Sequence, residues 1–134
     1  MEKEKQYFKT QITRNGLDLI VKDMSARIAY GVMVSDVHMD GDVLTSPYKL
    51  WDIIIDDWYD ENFDNYQMCY LRPMSSMTKK EKEEFEKTCF FSNEIGTIQT
   101  IESADWLNAH HFDYRGLIEL GLAFKAPKDM YKFE

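Results

Sequence analysis

The sequence predicts an α+β fold: an antiparallel sheet of about five strands with a surface helix and two C-terminal helices packed on it. Three observations predict it. Short β-branched and alternating apolar runs recur as far as Ile101, a charged segment over 78–89 opens with a capping box, and apolar residues after Ser103 repeat at helical spacing. A length of 134 residues suits a single domain spanning 1–134, with the first few residues of the charged EKEK segment frayed. Hydrophobic residues make up 44% of the chain and aromatics 14%, enough buried side chain to offset the entropy of ordering, which excludes global disorder.

The elements follow in chain order. Asn15-Gly16 is a turn dipeptide, and Leu17, Leu19 and Val21 alternate after it with Asp18 and Lys22, which predicts a short strand. Asp23 then caps a short helix through Arg27. The stretch YGVMVSDVHMDGDVLTS predicts a hairpin: Val32 and Val34 run into Asp40-Gly41, Val43, Leu44 and Thr45 resume, and Pro47 ends the second strand or confines it to an edge. KLWDIIID predicts a third strand. The acidic aromatic segment 56–66, DDWYDENFDNY, lacks the glycine of an EF-hand loop and reads as a solvated loop, its aromatics either covering the sheet or anchoring an interface.

Gln67 to Leu71 predicts a fourth strand, stopped at Arg72-Pro73 because a residue before proline avoids the α region. Thr78 and Glu81 form the capping box of a helix over 79–89, whose thin apolar face of Phe85 and Cys89 places it on the surface. IGTIQTI predicts the last strand. Ser103 caps the next helix, which carries Trp106, Leu107 and His110, and the apolar pattern continues at Tyr114, Leu117 and Ile118. Gly116 and the capping residue Asp113 divide 104–120 into two helices, with a break at His111 to Asp113. Gly121 at C′ ends the second in a Schellman motif that brings Leu122 against Leu117.

Charge and cysteine usage narrow the function. A net charge of −8 repels phosphate backbones and lacks the basic footprint of a nucleic-acid binder, so no direct nucleic-acid partner is expected. Arg115 is the only base between Tyr114 and Gly121, a poor recognition helix for a helix-turn-helix. Cys69 and Cys89 lack the spacing of a zinc site and read as free thiols. The charged N-terminus is no signal peptide, and no apolar run approaches the ~20 residues of a membrane span, which points to the cytoplasm and to no membrane partner.

His110, His111 and Asp113 are the candidate catalytic or metal-ligating residues, and their spacing argues for packing. Neighbours on a helix project about 100° apart, so the two imidazoles do not share a face as the histidines of HExxH do. Nothing fixes the third ligand that zinc chemistry needs. The expectation is therefore no catalytic residue, no metal and no cofactor, the histidines ending a helix by bonding its last carbonyls. Ser75, Ser76 and Cys69 lack the flanking signatures of nucleophiles. The enzyme alternative is a small metal-assisted hydrolase using His110, His111 and Asp113.

Two phrases, YLRPMSSMTKKEKEEFEK at 70–87 and DWLNAHHFDYRGLIELGLAFKAPKDMY at 105–131, cover about a third of the chain. They resemble small uncharacterised proteins encoded by phages and integrated mobile elements of gut anaerobic bacteria. DMSARIAYGVMV at 23–34 resembles the opening of the same proteins, whereas 1–16 and 36–66 show no likeness, and Leu120 and Lys125 replace a lysine and an acid common in such sequences. The resemblance implies a phage or mobile-element setting and no activity. Together these readings lead to a non-enzymatic accessory or interaction protein of the bacterial cytoplasm with an unknown protein partner, homo-oligomerisation also being compatible. A further alternative is an acidic DNA-mimic inhibitor of a basic host protein.

Overall fold

The computed structural model describes residues 13–51, 65–92, 96–98 and 100–131. The fold is α+β, as expected, but its first described element is one continuous helix where a short strand and then a short helix through Arg27 were expected. Thr13, extended at φ −89° and ψ 164°, caps α1 (Arg14–Arg27) by accepting the Gly16 N–H at 3.0 Å, so Asn15-Gly16 lies in the first helical turn. Leu17, Ile20, Asp23, Met24 and Arg27 are all buried, a stripe at helical spacing, whereas Leu19 faces outward. Of the alternating Leu17, Leu19 and Val21, only Leu17 belongs to that stripe, which is completed by two charged residues. The helix tightens into a single 3₁₀ turn, Ile28–Tyr30, and Gly31 at φ 71° ends it.

Strand β1 (Met33–His38) occupies the middle of the sheet. It pairs antiparallel on one side with β3 (Asn65–Leu71), aligning Val34 with Cys69 and Val37 with Tyr66, and on the other with β2 (Tyr48–Lys49). The expected hairpin forms: Gly41 adopts φ 101°, the His38 N–H donates to the Asp42 carbonyl at 2.7 Å, and Val43 bridges Val37. The return strand is interrupted, because the Asp36 N–H turns to the Thr45 hydroxyl at 2.9 Å, and pairing resumes only after Pro47. Of the expected third strand, 49–56, only Lys49 falls in β2, and Leu50 and Trp51 lie beyond it; residues 52–64, with most of the acidic aromatic segment, lie outside the described residues. β3 ends at Leu71, before Arg72-Pro73, as expected.

The helix α2 (Lys79–Lys87) carries the expected capping box, with Thr78 Oγ1 accepting the Glu81 N–H at 3.1 Å and Glu81 Oε1 accepting the Thr78 N–H at 3.0 Å. None of its residues is buried, which confirms a surface helix, although it stops two residues short of Cys89. β4 (Phe90–Ser92) and β5 (Gly96–Ile98) form a separate two-stranded antiparallel ribbon, so the IGTIQTI strand does not extend the main sheet. Thr100, not Ser103, caps α3 (Ile101–Ala109): Thr100 Oγ1 accepts the Ser103 N–H at 3.1 Å, and Ser103 returns the contact by accepting the Thr100 N–H at 2.7 Å.

The expected second C-terminal helix is absent; residues 114–121 form a string of turns. Gly116 at φ 73° is left-handed, a conformation that no α-helix continues through. Asp113 still acts as a cap, accepting the Leu117 and Ile118 N–H groups at 2.8 and 2.9 Å. The Schellman pattern around Gly121 forms as expected: Gly121 lies at φ 76°, Leu122 N–H donates to the Leu117 carbonyl at 2.9 Å, and Gly121 N–H to that of Ile118 at 3.1 Å. A Cβ at 121 meets no atom within 4 Å, so Gly121→Ala should cost only the left-handed strain, about 1 kcal/mol. An unshifted denaturant midpoint for this variant would remove the glycine from any role in the turn.

The last strand, β6 (Phe124–Lys125), corrects the antiparallel expectation. It runs parallel to β3, aligning Tyr70 with Phe124 and Leu71 with Lys125, and the main sheet is a mixed one of four strands in the order β2-β1-β3-β6. The long connection through α2 and α3 makes a parallel return feasible, which a short turn could not. Ile20 and Met24 of α1, Val34 and Val37 of β1, and Leu71 of β3 form the core with Leu117 from the C-terminal turns. No helix among the described residues is long and apolar enough to cross a membrane.

Candidate functional site

The turn that follows α3 is a helix ending with histidine where glycine is usual. His111 adopts φ 63°, its N–H donates to the Asn108 carbonyl at 3.1 Å, and the next N–H, of Phe112, reaches back to the Leu107 carbonyl at 3.0 Å. These are the two bonds of a Schellman ending. The chain then runs alongside the end of β3: Arg72 N–H donates to the His111 carbonyl, and Asp113 N–H to the Arg72 carbonyl, each at 2.8 Å. The left-handed backbone at His111 costs about 1 to 2 kcal/mol, offset by the contacts it sets up.

Each candidate residue has a different partner. The His110 ring stacks on Trp106 with centroids 3.9 Å apart and its Nδ1 donates to the Trp106 carbonyl at 2.9 Å, the helix-ending role expected. His111 is only 4% exposed and its ring stacks on Tyr131 at 3.8 Å. Asp113 spends its two carboxylate oxygens on backbone N–H groups. Among the described residues, no three His, Cys, Asp or Glu side chains are grouped to hold a metal ion. The two cysteines are free, and burial, then the nearby Asp23 carboxylate, pushes the Cys69 thiol well above its ordinary pKa, away from the thiolate a nucleophile needs.

Burial, reinforced by the positive charges of Arg27, His110 and Arg72, lowers the His111 pKa from 6.5 to about 3. The imidazole stays neutral in the folded protein while it protonates in the unfolded chain below pH 6.5. Stability is therefore lost as pH falls through the window between 6.5 and 3, and at pH 4.5 His111 alone should have removed about 2 to 3 kcal/mol. Urea melts at pH 7 and 4.5 check this: His111→Asn should show a correspondingly smaller loss between the two, and an identical loss in both proteins would refute the assignment.

The residues that sequence reasoning missed form a buried ionic network beside this turn. Arg27 is 0% exposed, and its Nε and Nη2 bind the Asp23 carboxylate at 2.7 and 3.1 Å, while Nη2 also donates to the Phe112 carbonyl at 2.7 Å. Arg115 Nε adds a second cation on Asp23 at 3.2 Å. Both guanidinium groups lie over the Tyr114 ring, at 5.1 and 5.2 Å, and the Tyr114 hydroxyl donates to Asn108 at 2.9 Å. Helix α1 is thereby clipped to the segment 112–115. On the far side, Arg72 binds both oxygens of Glu81 at 2.8 Å and lies 4.2 Å from the Phe112 ring centroid. Burial tends to raise the Glu81 carboxyl, but hydrogen bonds from Arg72 and from the Thr78 N–H hold it below its ordinary value. The segment 110–115 is thus a structural joint in which polar groups chiefly serve one another.

A different feature faces solvent. Along the outer side of β1, the return segment leaves Val43 and Leu44 about half exposed and Trp51 80% exposed. Its anchors to the sheet are the Val43–Val37 bridge, the Leu44 N–H to the Asp36 carbonyl at 2.8 Å, and the Leu50 N–H to the Val32 carbonyl at 2.8 Å. The Lys49 Nζ lies 5.9 Å from the Trp51 ring centroid. In comparisons with known proteins, no family model, no curated protein and no solved structure matches this chain.

Proposed function

We propose that this is a non-enzymatic interaction protein of the bacterial cytoplasm, in a phage or mobile-element setting, that binds a protein partner through the sheet edge at Val43, Leu44 and Trp51. The observation that carries the reading is Trp51, 80% exposed on an edge that also presents two half-exposed aliphatic residues. Tryptophan is enriched at the energetic centres of interfaces, where a partner excludes water from a large rigid ring. The neighbouring acids Asp36, Asp40 and Asp42 and the net charge of −8 favour a partner with a basic rim. A DNA-mimic inhibitor is the extreme of this reading, in which charge rather than Trp51 dominates binding.

Affinity purification from the producing cells, repeated with two variants, tests it. Trp51→Ala should weaken retention of the partner by roughly 30-fold or more, as loss of a ~2 kcal/mol hot spot requires. Ile101→Ala, which alters a residue 83% exposed on α3, should leave it unchanged. Equal retention by Trp51→Ala and the unaltered protein would overturn the assigned edge, and loss of the partner only at raised salt would favour the acidic mimic.

A further inference from the structure

At the opposite edge of the sheet, beside β6, two adjoining cavities share Arg72, Thr78 and Tyr131. The larger, about 380 Å³, has Pro73, Pro127 and Tyr131 as its apolar walls and is also lined by Lys125 and Lys128. The smaller, about 250 Å³, adds Lys80, Glu81 and Glu84. Arg72, Lys80, Lys125 and Lys128 thus meet two carboxylates, one of which Arg72 already neutralises, so the sign of charge is inverted here on a chain of net charge −8. Lys125 and Lys128 take part in no ion pair among the described residues. The N-cap of α2, Thr78, lines both cavities, which places the positive end of a nine-residue helix against them.

The walls are fixed before any ligand arrives. The Tyr131 hydroxyl donates to the Tyr70 carbonyl at 2.8 Å and accepts the Met33 N–H at 2.7 Å, while its ring stacks on His111. Arg72 is locked by Glu81 and by the Phe112 ring. A cavity of this size with mainly apolar walls and a few convergent charged groups is the usual form of a small-molecule site. We propose that this cleft binds a small dianionic ligand with an apolar body, such as an aryl phosphomonoester. The Lys125 and Lys128 ammonium groups neutralise the dianion, and the body lies against Pro73, Pro127 and Tyr131.

The test is an amide NMR titration of the whole protein at constant ionic strength with phenyl phosphate, inorganic phosphate and phthalate. Saturable shifts with phenyl phosphate, confined to residues 72–80 and 124–131, are expected at millimolar or lower concentration, with weaker binding of inorganic phosphate because it lacks the apolar body. Equal binding of phthalate would support the dianion site and assign its ligands to the dicarboxylates as well. Lys125→Glu/Lys128→Glu should weaken binding by roughly tenfold or more. Both lysines are exposed, so its melting temperature should stay unchanged. Trp51→Ala should bind phenyl phosphate normally, which keeps this site separate from the partner edge. No saturable shift, shifts scattered over surface lysines, or full binding by the double variant would each overturn the proposal.

Discussion

Arg27→Met is expected to lower folding stability by about 3 to 5 kcal/mol, because it leaves a buried charge without its principal partner. Arg27 and Asp23 are 0% and 1% exposed, and the substitution leaves the Asp23 carboxylate buried with only the 3.2 Å contact from the partly exposed Arg115. It also removes the 2.7 Å hydrogen bond from Arg27 to the Phe112 carbonyl, which keeps only the Tyr114 N–H at 3.1 Å. The pair itself is not an efficient source of stability. Arg27 Nη1 is buried with no hydrogen-bond partner, so part of the desolvation cost is uncompensated. Asp23→Leu/Arg27→Met should consequently recover most of the loss, because a buried pair exchanged for apolar side chains is often neutral or stabilising. Denaturant melts of the two single variants and the double variant give the coupling directly. A loss below about 1 kcal/mol for Arg27→Met, typical of a surface site, would show that the network is hydrated and not a joint.

That network also explains why the first half of α1 was illegible and only a short helix ending at Arg27 was expected. Asp23 and Arg27 fall four residues apart in line with Leu17, Ile20 and Met24, so the helical period is complete only when two charged residues are counted as buried. Charged residues are almost never fully buried unless paired, and an i,i+4 acid-base spacing on an apolar stripe was the available signal. Features set by a few neighbouring residues were legible: the Thr78–Glu81 box, the turn at Gly41, the stop before Pro73 and the break after His110. Strand β6 was not, because its parallel pairing with β3 depends on contacts far apart in the chain. Nor was the failure of the second C-terminal helix, since Gly116 at φ 73° is one of two conformations that a glycine accepts about equally. At the histidines, packing was legible but its division was not. His110 makes the Trp106 carbonyl bond while half-buried, and His111 takes the buried place against Tyr131.

Phe112→Ala should likewise cost about 3 to 5 kcal/mol, through a cavity instead of a stranded charge. Phe112 is fully buried between the Trp106 ring, nearly parallel at 9° with centroids 5.8 Å apart, and the Arg72 guanidinium at 4.2 Å. Its backbone bonds to Leu107 and Arg27 do not depend on the ring, so the substitution removes packing and leaves the joint's hydrogen bonds available. Phe112→Leu, closer in volume, should lose less than about 1.5 kcal/mol, and an equal loss in the two variants would mean that the aromatic contacts with Trp106 and Arg72 matter more than the space filled. The Ala variant also separates the two halves of the joint. Arg27 grips the carbonyl of the same residue whose side chain supports Arg72, so Phe112→Ala and Arg27→Met should couple by more than the ~0.5 kcal/mol within which independent sites add. Strict additivity in denaturant melts would refute the joint, because it would mean that the α1 clip and the β3 contact unfold without sensing each other through Phe112.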